Sequence, residues 1–178
     1  MRLLGSPVTG VDAGAHGVLR PDLVVTAAGD VPNIAWLAGS GVPLAGGVVV
    51  DDHCRVADGI VAAGDVTCVR RGAVTTRLPH WTSAVNQGRQ AALTPLLGRG
   101  PALDDAPYFW TSQFGLDVKL SGLPGSGTPT IVDGDPGTDQ LLLQWEHEDG
   151  SRSAASMNYR IPVVKLKRLG ASASASPV

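Results

Sequence analysis

The chain has 178 residues, of which 43% are hydrophobic and 17% charged, so it can build one large or two small packed domains. A net charge of −2 provides no electrostatic attraction for nucleic acid or for an acidic membrane surface. No apolar run is long enough to span a bilayer and the N-terminus lacks the pattern of a signal peptide, so we expect a cytoplasmic protein. Cys54 and Cys68 are too far apart for a Cys-x-x-Cys redox pair; buried thiols are expected, with a single disulfide as the alternative.

The first half of the chain has short apolar runs that end in turn residues, a pattern typical of the strands of α/β proteins. Residues 23–29 predict a buried strand ended by Gly29, and Asn33 can cap a short helix through Trp36 and Leu37. Further strands are predicted at 48–50, after Gly46-Gly47, at 55–56, where the chain returns, and at 60–63, before Gly64-Asp65. Residues 69–79 are predicted to form a loop.

A longer helix is predicted from Thr82 or Ser83, either of which can cap it, to Leu97, with Gly98 ending it. Its apolar residues recur at helical spacing: Ala84, Val85, Ala91, Ala92 and Leu96. A linker containing prolines, 98–107, then leads to a segment that predicts a small antiparallel sheet. Candidate strands are 108–123, bent at Gly115, 130–132, 141–145 and 154–159, with turns at Asp133-Gly134 and Asp149-Gly150. A last helix is predicted over 162–169, and a disordered tail from Ala171.

Two places in this sequence have the chemistry of a ligand site. Gly64-Asp65 follows a predicted strand, and α/β proteins bind ligands at the C-terminal ends of strands. Gly64 allows close approach to the backbone, and the Asp65 carboxylate can accept hydrogen bonds from sugar hydroxyls. The helix that follows His80-Trp81 presents free N–H groups and a positive dipole end, which suit an electron-rich group such as the edge of a reduced flavin. The alternative interpretation of these two segments is an ordinary turn and an ordinary capped helix.

Several segments stand in a fixed order along the chain. They are Asp22-Leu23-Val24-Val25 with Gly29 and Pro32-Asn33, Gly47-Val48-Val49-Val50-Asp51, Ala62-Ala63-Gly64-Asp65, His80-Trp81 with Ala84 and Gln87-Gly88, and finally Tyr108-Phe109-Trp110-Thr111-Ser112-Gln113-Phe114. The first four resemble those of FAD-dependent pyridine-nucleotide oxidoreductases. The last is similar to the strand that opens the C-terminal domain of NAD(P)H:ferredoxin reductases of the putidaredoxin, rubredoxin and dioxygenase reductase type. The resemblance extends over about residues 18–170.

The resemblance implies an enzyme that passes electrons from NAD(P)H through FAD to a ferredoxin-type iron–sulfur protein of an oxygenase system. It implies that Asp65 binds the ribityl or phosphate region of FAD and that Trp81 offers its backbone N–H to the isoalloxazine ring. Trp110 would pack near the flavin from the C-terminal domain, and Gly29 would lie close to the nicotinamide nucleotide. The residues implied to contact the cofactors are Gly64, Asp65, Val66, His80, Trp81, Thr82, Trp110 and Gly29.

By the same resemblance the chain is the C-terminal part of such an enzyme, with an incomplete α/β FAD/NAD(P)-binding core followed by a small α+β domain built on an antiparallel sheet. Residues 1–46 would be the tail of the NAD(P)-binding domain, 47–98 the C-terminal portion of the FAD-binding domain, 107–170 the interface domain and 171–178 the disordered tail. No Gly-x-Gly-x-x-Gly follows a strand anywhere, whereas the family carries two such fingerprints, which we expect upstream of Met1.

Two other functions remain as alternatives. In the first alternative, the chain is a truncated or split-gene product without activity of its own, acting at most as an interaction module. In the second, it is part of a disulfide reductase, which is disfavoured because residues 107–170 contain no His-Pro…Glu motif.

Overall fold

The structure is a computed structural model, and it describes residues 1–99, 102–103 and 107–171. The chain divides into two compact units, the first ending at Val31 and the second beginning at Pro32. Half of the predicted linker, residues 100–101 and 104–106, lies outside the described ranges, as does the predicted disordered tail beyond Ala171. The assignment of domains at 1–46, 47–98 and 107–170 stays a prediction.

The first unit contains a three-stranded antiparallel sheet. Its strands are β1 (Arg2–Leu4), β2 (Gly10–Asp12) and β3 (Val18–Leu19), with β2 in the middle and Val11 buried. The buried strand predicted over 23–29 is wrong, since this segment forms no strand and both Leu23 and Val25 are exposed. An apolar run becomes a strand only where its backbone finds a ladder partner, and none of the described strands pairs with this segment.

The second unit opens on one 3₁₀ turn, Ala35–Leu37. The short helix predicted here is confirmed only as this single turn, and Asn33 does not cap it, because the turn has no side-chain cap. The Asn33 carbonyl instead accepts a 3.1 Å hydrogen bond from the Trp36 indole.

A small mixed sheet follows. The predicted strand after Gly46-Gly47 is confirmed as β4 (Val48–Val50), which is buried and pairs in parallel with β7 (Thr67–Arg71). A Cβ on Gly47 would lie 2.7 Å from Cys68 Sγ, so this close approach requires glycine. β8 (Val74–Thr76) pairs antiparallel with β7, and the loop predicted over 69–79 is therefore wrong for most of its length. The polar β7–β8 hairpin lacks the apolar alternation from which a strand is predicted.

The segment before Gly64 forms a separate two-stranded hairpin. The predicted return strand is confirmed in position as β5 (Arg55–Ala57), but its partner is β6 (Ile60–Val61) and not β4. The strand predicted over 60–63 ends at Val61, and Gly64, with φ of +89°, turns the chain away from extended geometry. Cys54 and Cys68 are both buried and free, as the buried-thiol prediction requires.

The long helix is confirmed as α1 (Trp81–Leu97), ended by Gly98 with φ of 74°. Its buried face is different from the one predicted: of the apolar set only Ala91 is buried, together with Gln87, Gln90 and Thr94. Polar side chains can be buried here because they are hydrogen-bonded, as when the Thr94 hydroxyl donates to the His53 carbonyl at 2.6 Å. Neither helix in the described residues has the length and apolar character needed to cross a membrane.

The C-terminal part is a five-stranded antiparallel sheet covered by one helix, which confirms the predicted antiparallel architecture. The elements are β9 (Tyr108–Gln113), β10 (Leu116–Ser121), β11 (Thr130–Asp135), β12 (Gln140–Glu146), β13 (Arg152–Met157) and α2 (Val163–Leu169). The spatial order of the strands is β11-β12-β13-β10-β9. Helix α2 places Leu166 in a core with Leu142 and Ala154.

Three details of this sheet correct the predictions. The bent strand predicted over 108–123 is a hairpin, because Phe114 and Gly115 both adopt positive φ and reverse the chain. Asp133-Gly134 is not a turn but lies inside β11, at an irregularity in its pairing with β12. The turn at Asp149-Gly150 is confirmed, and the last helix begins one residue after the predicted Pro162, which occupies the cap position.

Candidate functional site

The turn at Gly64-Asp65 has a fixed backbone and an exposed carboxylate. The Gly64 N–H donates to Gln87 Oε1 at 2.7 Å. The Asp65 carbonyl accepts two bonds from Arg77, 3.0 Å from Nε and 2.7 Å from Nη2. The side chains of Asp65 and Val66 lie at the surface. The turn therefore holds its backbone rigidly while it presents a negatively charged acceptor to solvent.

The start of α1 leaves backbone donors available. His80 is the N-cap, and its Nδ1 accepts a hydrogen bond from the Ser83 N–H at 3.2 Å. The Ala84 N–H donates to the His80 carbonyl at 3.0 Å. The N–H groups of Trp81 and Thr82 are left without a partner inside the helix, at its positive dipole end. The Trp81 side chain is 74% exposed, so it does not bury these groups in the protein interior.

The His80 ring is held in its neutral form. Partial burial lowers the pKa of His80 from its usual 6.5, and the nearby Asp65 carboxylate acts weakly in the opposite direction. A neutral ring with an unprotonated Nδ1 is also what the cap requires, since this atom accepts the Ser83 N–H. The turn and the helix start, predicted separately from the sequence, lie close together, because Gln87 hydrogen-bonds both the Gly64 N–H and the Ser83 hydroxyl.

Strand β9 lies against the helix start. The Thr82 hydroxyl donates to the Tyr108 carbonyl, and the Phe109 ring meets the His80 ring edge-on with centroids 5.7 Å apart. Because side chains alternate along a strand, Trp110 lies on the other face and stacks on Tyr108 with centroids 6.0 Å apart. The structure thus brings Phe109, which was notable in the sequence only as part of a family-like segment, next to His80. The implied contact of Trp110 with a flavin stays a prediction.

Gln87 joins the two parts of the site. It is only 3% exposed, and its carboxamide contacts both the Gly64 turn and Ser83 in the first turn of α1. In the sequence Gln87 was notable only as part of the family-like motif. Its contacts could not be foreseen because Gly64 and Gln87 come together only through the tertiary fold.

A cavity of about 80 Å³ lies beneath α1, lined in part by His80, Ser83, Gln87 and Tyr108. It is far smaller than the roughly 300–1,000 Å³ of small-molecule pockets, so a large ligand would use the exposed side of the turn and helix start. In the part of the chain that the structure describes, no group of His, Cys, Asp and Glu is placed to hold a metal ion.

Gly29 belongs to the first compact unit, which ends at Val31. It has φ of +88°, and a Cβ placed on it would meet no atom within 4 Å. The backbone angle explains the glycine, and the open space is compatible with close approach of a ligand. The implied contact with a nicotinamide nucleotide stays a prediction.

The class of protein follows from comparisons with known sequences. Residues 5–88 match the family described as pyridine nucleotide-disulphide oxidoreductase. A probable ferredoxin reductase, CtmF of Castellaniella defragrans, is 35% identical over 133 residues, which are 72% of this chain and 32% of the relative. The ferredoxin–NAD(+) reductase component of the anthranilate 1,2-dioxygenase system of Burkholderia cepacia is 32% identical over 86% of this chain and 39% of the relative.

A solved structure gives the same result. The reductase in the covalent putidaredoxin reductase–putidaredoxin complex has a TM-score of 0.73 and 25% identity, over 92% of this chain and 39% of that chain. Residues 5–88 thus match the pyridine nucleotide-disulphide oxidoreductase family and the relatives are named as ferredoxin reductases, so the resemblance drawn from the motifs is confirmed. The chain spans between about 32% and 39% of the length of these proteins.

Proposed function

We propose that this chain supplies the flavin-contacting end and the C-terminal domain of a FAD-dependent NAD(P)H:ferredoxin reductase. The observation that carries the proposal is that Gln87 bridges the Gly64 turn and the first turn of α1, which places the exposed Asp65 near the free N–H groups at the start of the helix. The names of the relatives support the reaction, because they describe reductases of ferredoxins.

The residues present fit the flavin end of FAD. The Asp65 carboxylate would accept hydrogen bonds from the ribityl hydroxyls, Gly64 would allow the ribityl chain to approach the backbone closely, and the Val66 amide would lie beside them. The N–H groups of Trp81 and Thr82 precede the Ser83 N–H that His80 caps, and they would donate to the electron-rich edge of the flavin ring. When bound, FAD accepts hydride from NAD(P)H and releases single electrons.

The acceptor we propose is a ferredoxin-type iron–sulfur protein of an oxygenase system. One structural relative comes from a complex of putidaredoxin reductase with putidaredoxin, and one sequence relative is the reductase component of a dioxygenase system. The aromatic side chains of Trp81 and Trp110, both in the second unit, are exposed, so an acceptor protein can contact them.

A second candidate is an inert product or an interaction module without redox activity. The observation that favours it is the lack of any Gly-x-Gly-x-x-Gly sequence, because the pyrophosphates of FAD and NAD(P)H are held by such glycine turns. Binding of FAD at the turn and helix start distinguishes the two candidates.

The test is a titration of the ¹⁵N-labelled chain with FAD. We expect the amide signals of Asp65, Val66 and Trp81 to shift with added FAD. Asp65→Ala should weaken the response roughly ten-fold or more, since it removes a charged acceptor whose hydrogen bonds are worth about 1.5–3 kcal/mol. The matched control is Asp58→Ala, because Asp58 is a fully exposed carboxylate on the β5–β6 turn. An equal effect of the two substitutions, or no response of the parent chain, contradicts the proposed site.

A further inference from the structure

We infer that Gln87 is a positioning residue, which locks the Gly64-Asp65 turn to the first turn of α1 so that the two halves of the flavin-contacting surface keep a fixed separation. The inference rests on the proposed function of this site. It adds a residue that has no direct contact with a ligand and acts through the groups that do.

The carboxamide of Gln87 bridges the two segments. Its Oε1 lies 2.7 Å from the Gly64 nitrogen and 2.7 Å from the Thr67 hydroxyl, and its Nε2 lies 3.2 Å from the Ser83 hydroxyl. The orientation of the amide is fixed, because a backbone N–H can only donate and therefore requires the oxygen of Gln87 to face it. Nε2 then points to Ser83.

The bridge continues to the groups that face solvent. Ser83 is the residue whose N–H is capped by His80, so the path from the turn runs through Gln87 and Ser83 to the helix start. At the other end, the Gly64 carbonyl accepts a hydrogen bond from the Thr67 N–H at 3.0 Å, which holds the turn from its second side. Both polar backbone groups of Gly64 are thus occupied internally. The outward groups of Asp65 and Trp81 are left for a ligand.

The cost of burying this carboxamide indicates that its hydrogen bonds matter. An amide taken out of water without partners costs about 1–3 kcal/mol, and an apolar side chain of similar size would fill the same space without that cost. An apolar residue would not, however, make a directional connection between the Gly64 N–H and the Ser83 hydroxyl. Gln87 therefore provides less apolar packing than a residue such as leucine would, but it makes directional hydrogen bonds between the Gly64 turn and the first turn of α1.

The structure offers a matched control one turn further along the same helix. Gln90 is also a buried glutamine, 5% exposed, but its Nε2 is 3.4 Å from the Thr94 hydroxyl of its own helix. Gln87→Leu and Gln90→Leu each remove one buried carboxamide. Both should lower the stability of the chain, and only the first should disconnect the Gly64 turn from the helix start.

Two readouts on the full chain separate positioning from stability. The first is hydrogen exchange of the Gly64 amide without flavin, which we expect Gln87→Leu to accelerate about ten-fold or more relative to Gln90→Leu. The second is the FAD titration followed at the Asp65 and Trp81 amides, where Gln87→Leu should weaken the response about ten-fold and Gln90→Leu should leave it unchanged. Gln87→Glu keeps an oxygen facing Gly64 and should restore protection of its amide.

The outcomes are distinct. Selective effects of Gln87→Leu with rescue by Gln87→Glu support the inference. Equal effects of the two leucine variants overturn it, because they would show only a loss of stability. If the parent chain does not respond to FAD at all, the proposed function fails, and the exchange comparison alone decides whether Gln87 couples the two segments.

Discussion

His80 caps α1 through a ring nitrogen that must stay unprotonated, and this gives the helix start a dependence on pH. Thr82 and Ser83, the hydroxyl residues predicted as caps, do not serve, because the Thr82 hydroxyl donates to Tyr108 and Ser83 is itself the capped residue. Sequence preferences for caps favour hydroxyl and carboxylate side chains, so the imidazole cap could not be foreseen. It depends on β9, which is distant in sequence.

Protonation of His80 should destabilise the folded chain. The pKa of His80 is lowered below 6.5, so the unfolded state binds the proton more tightly. The contribution of His80 to the free energy of unfolding is therefore complete above pH 6.5 and is lost as the pH falls below that value. Asparagine keeps a capping oxygen and does not titrate, so His80→Asn should have a shallower loss of stability between pH 7.5 and about pH 5.5.

Urea unfolding of the two proteins across this pH range provides the measurement. The other three histidines are the same in both proteins, so the difference between the two curves isolates the substitution at position 80. Parallel curves would contradict the assignment of His80 as the titrating cap.

Helix α1 shows how far the element pattern can be predicted. Its existence and its end at Gly98 follow from the sequence, because glycine readily adopts the positive φ found there. Its buried face does not follow, since Gln87, Gln90 and Thr94 take the places expected for apolar residues such as Leu96, which is 78% exposed. Periodicity identifies an apolar stripe, whereas a hydrogen-bonded interface has no such signature.

Helix α2 is held by one buried side chain. Leu166 is fully buried against Leu142 and Ala154, whereas Val164 on the same helix is 62% exposed. Leu166→Ala should lower the free energy of unfolding by about 2–5 kcal/mol, because it removes buried methyl groups and leaves a cavity. Val164→Ala is the matched control and should change it by less than about 0.5 kcal/mol. Denaturant unfolding of both variants measures the difference, and similar losses would show that α2 does not pack as described.

The chain as a whole lacks one of the two anchors that FAD needs. The turn at Gly64 and the start of α1 serve the flavin end, but no glycine fingerprint is available for the pyrophosphate. Losing even two charge-assisted hydrogen bonds, each worth about 1.5–3 kcal/mol, weakens binding about a hundred-fold or more. The chain purified alone should therefore be colourless and should not oxidise NADH or NADPH.

Absorbance between 350 and about 500 nm and an acceptor-reduction assay make this measurement, since oxidised flavin is yellow. The control is a fusion of the upstream part of the Castellaniella relative, of which this chain covers 32%, to this chain. This fusion should retain flavin through purification. A yellow preparation of the chain alone, with turnover, would contradict the prediction.

The family could be predicted from the sequence because several weak motifs stand in the right order, from Gly47 through Gly64-Asp65 and His80-Trp81 to Trp110. The contacts that hold the site together were not predictable, since Gln87, Arg77 and Phe109 act on residues far from them in sequence. The wrong strand at 23–29 has the same origin. Local composition states which residues prefer a strand, but the partner is supplied by the fold.

The position of β13 in the C-terminal sheet also bears on how fast the sheet forms. β9 and β10 are one hairpin, and β11, β12 and β13 follow one another as neighbours, so these pairings join nearby segments. The ladder between β10 and β13 instead joins Ser121 to Ala154 and requires a long loop to close. Loop closure costs entropy before the contacts repay it, and non-local pairing slows folding. The topology therefore predicts that the slow step in forming the sheet is the pairing of β10 with β13 at its centre, where the β9–β10 hairpin meets the β11–β13 segment, and not a pairing at its edges.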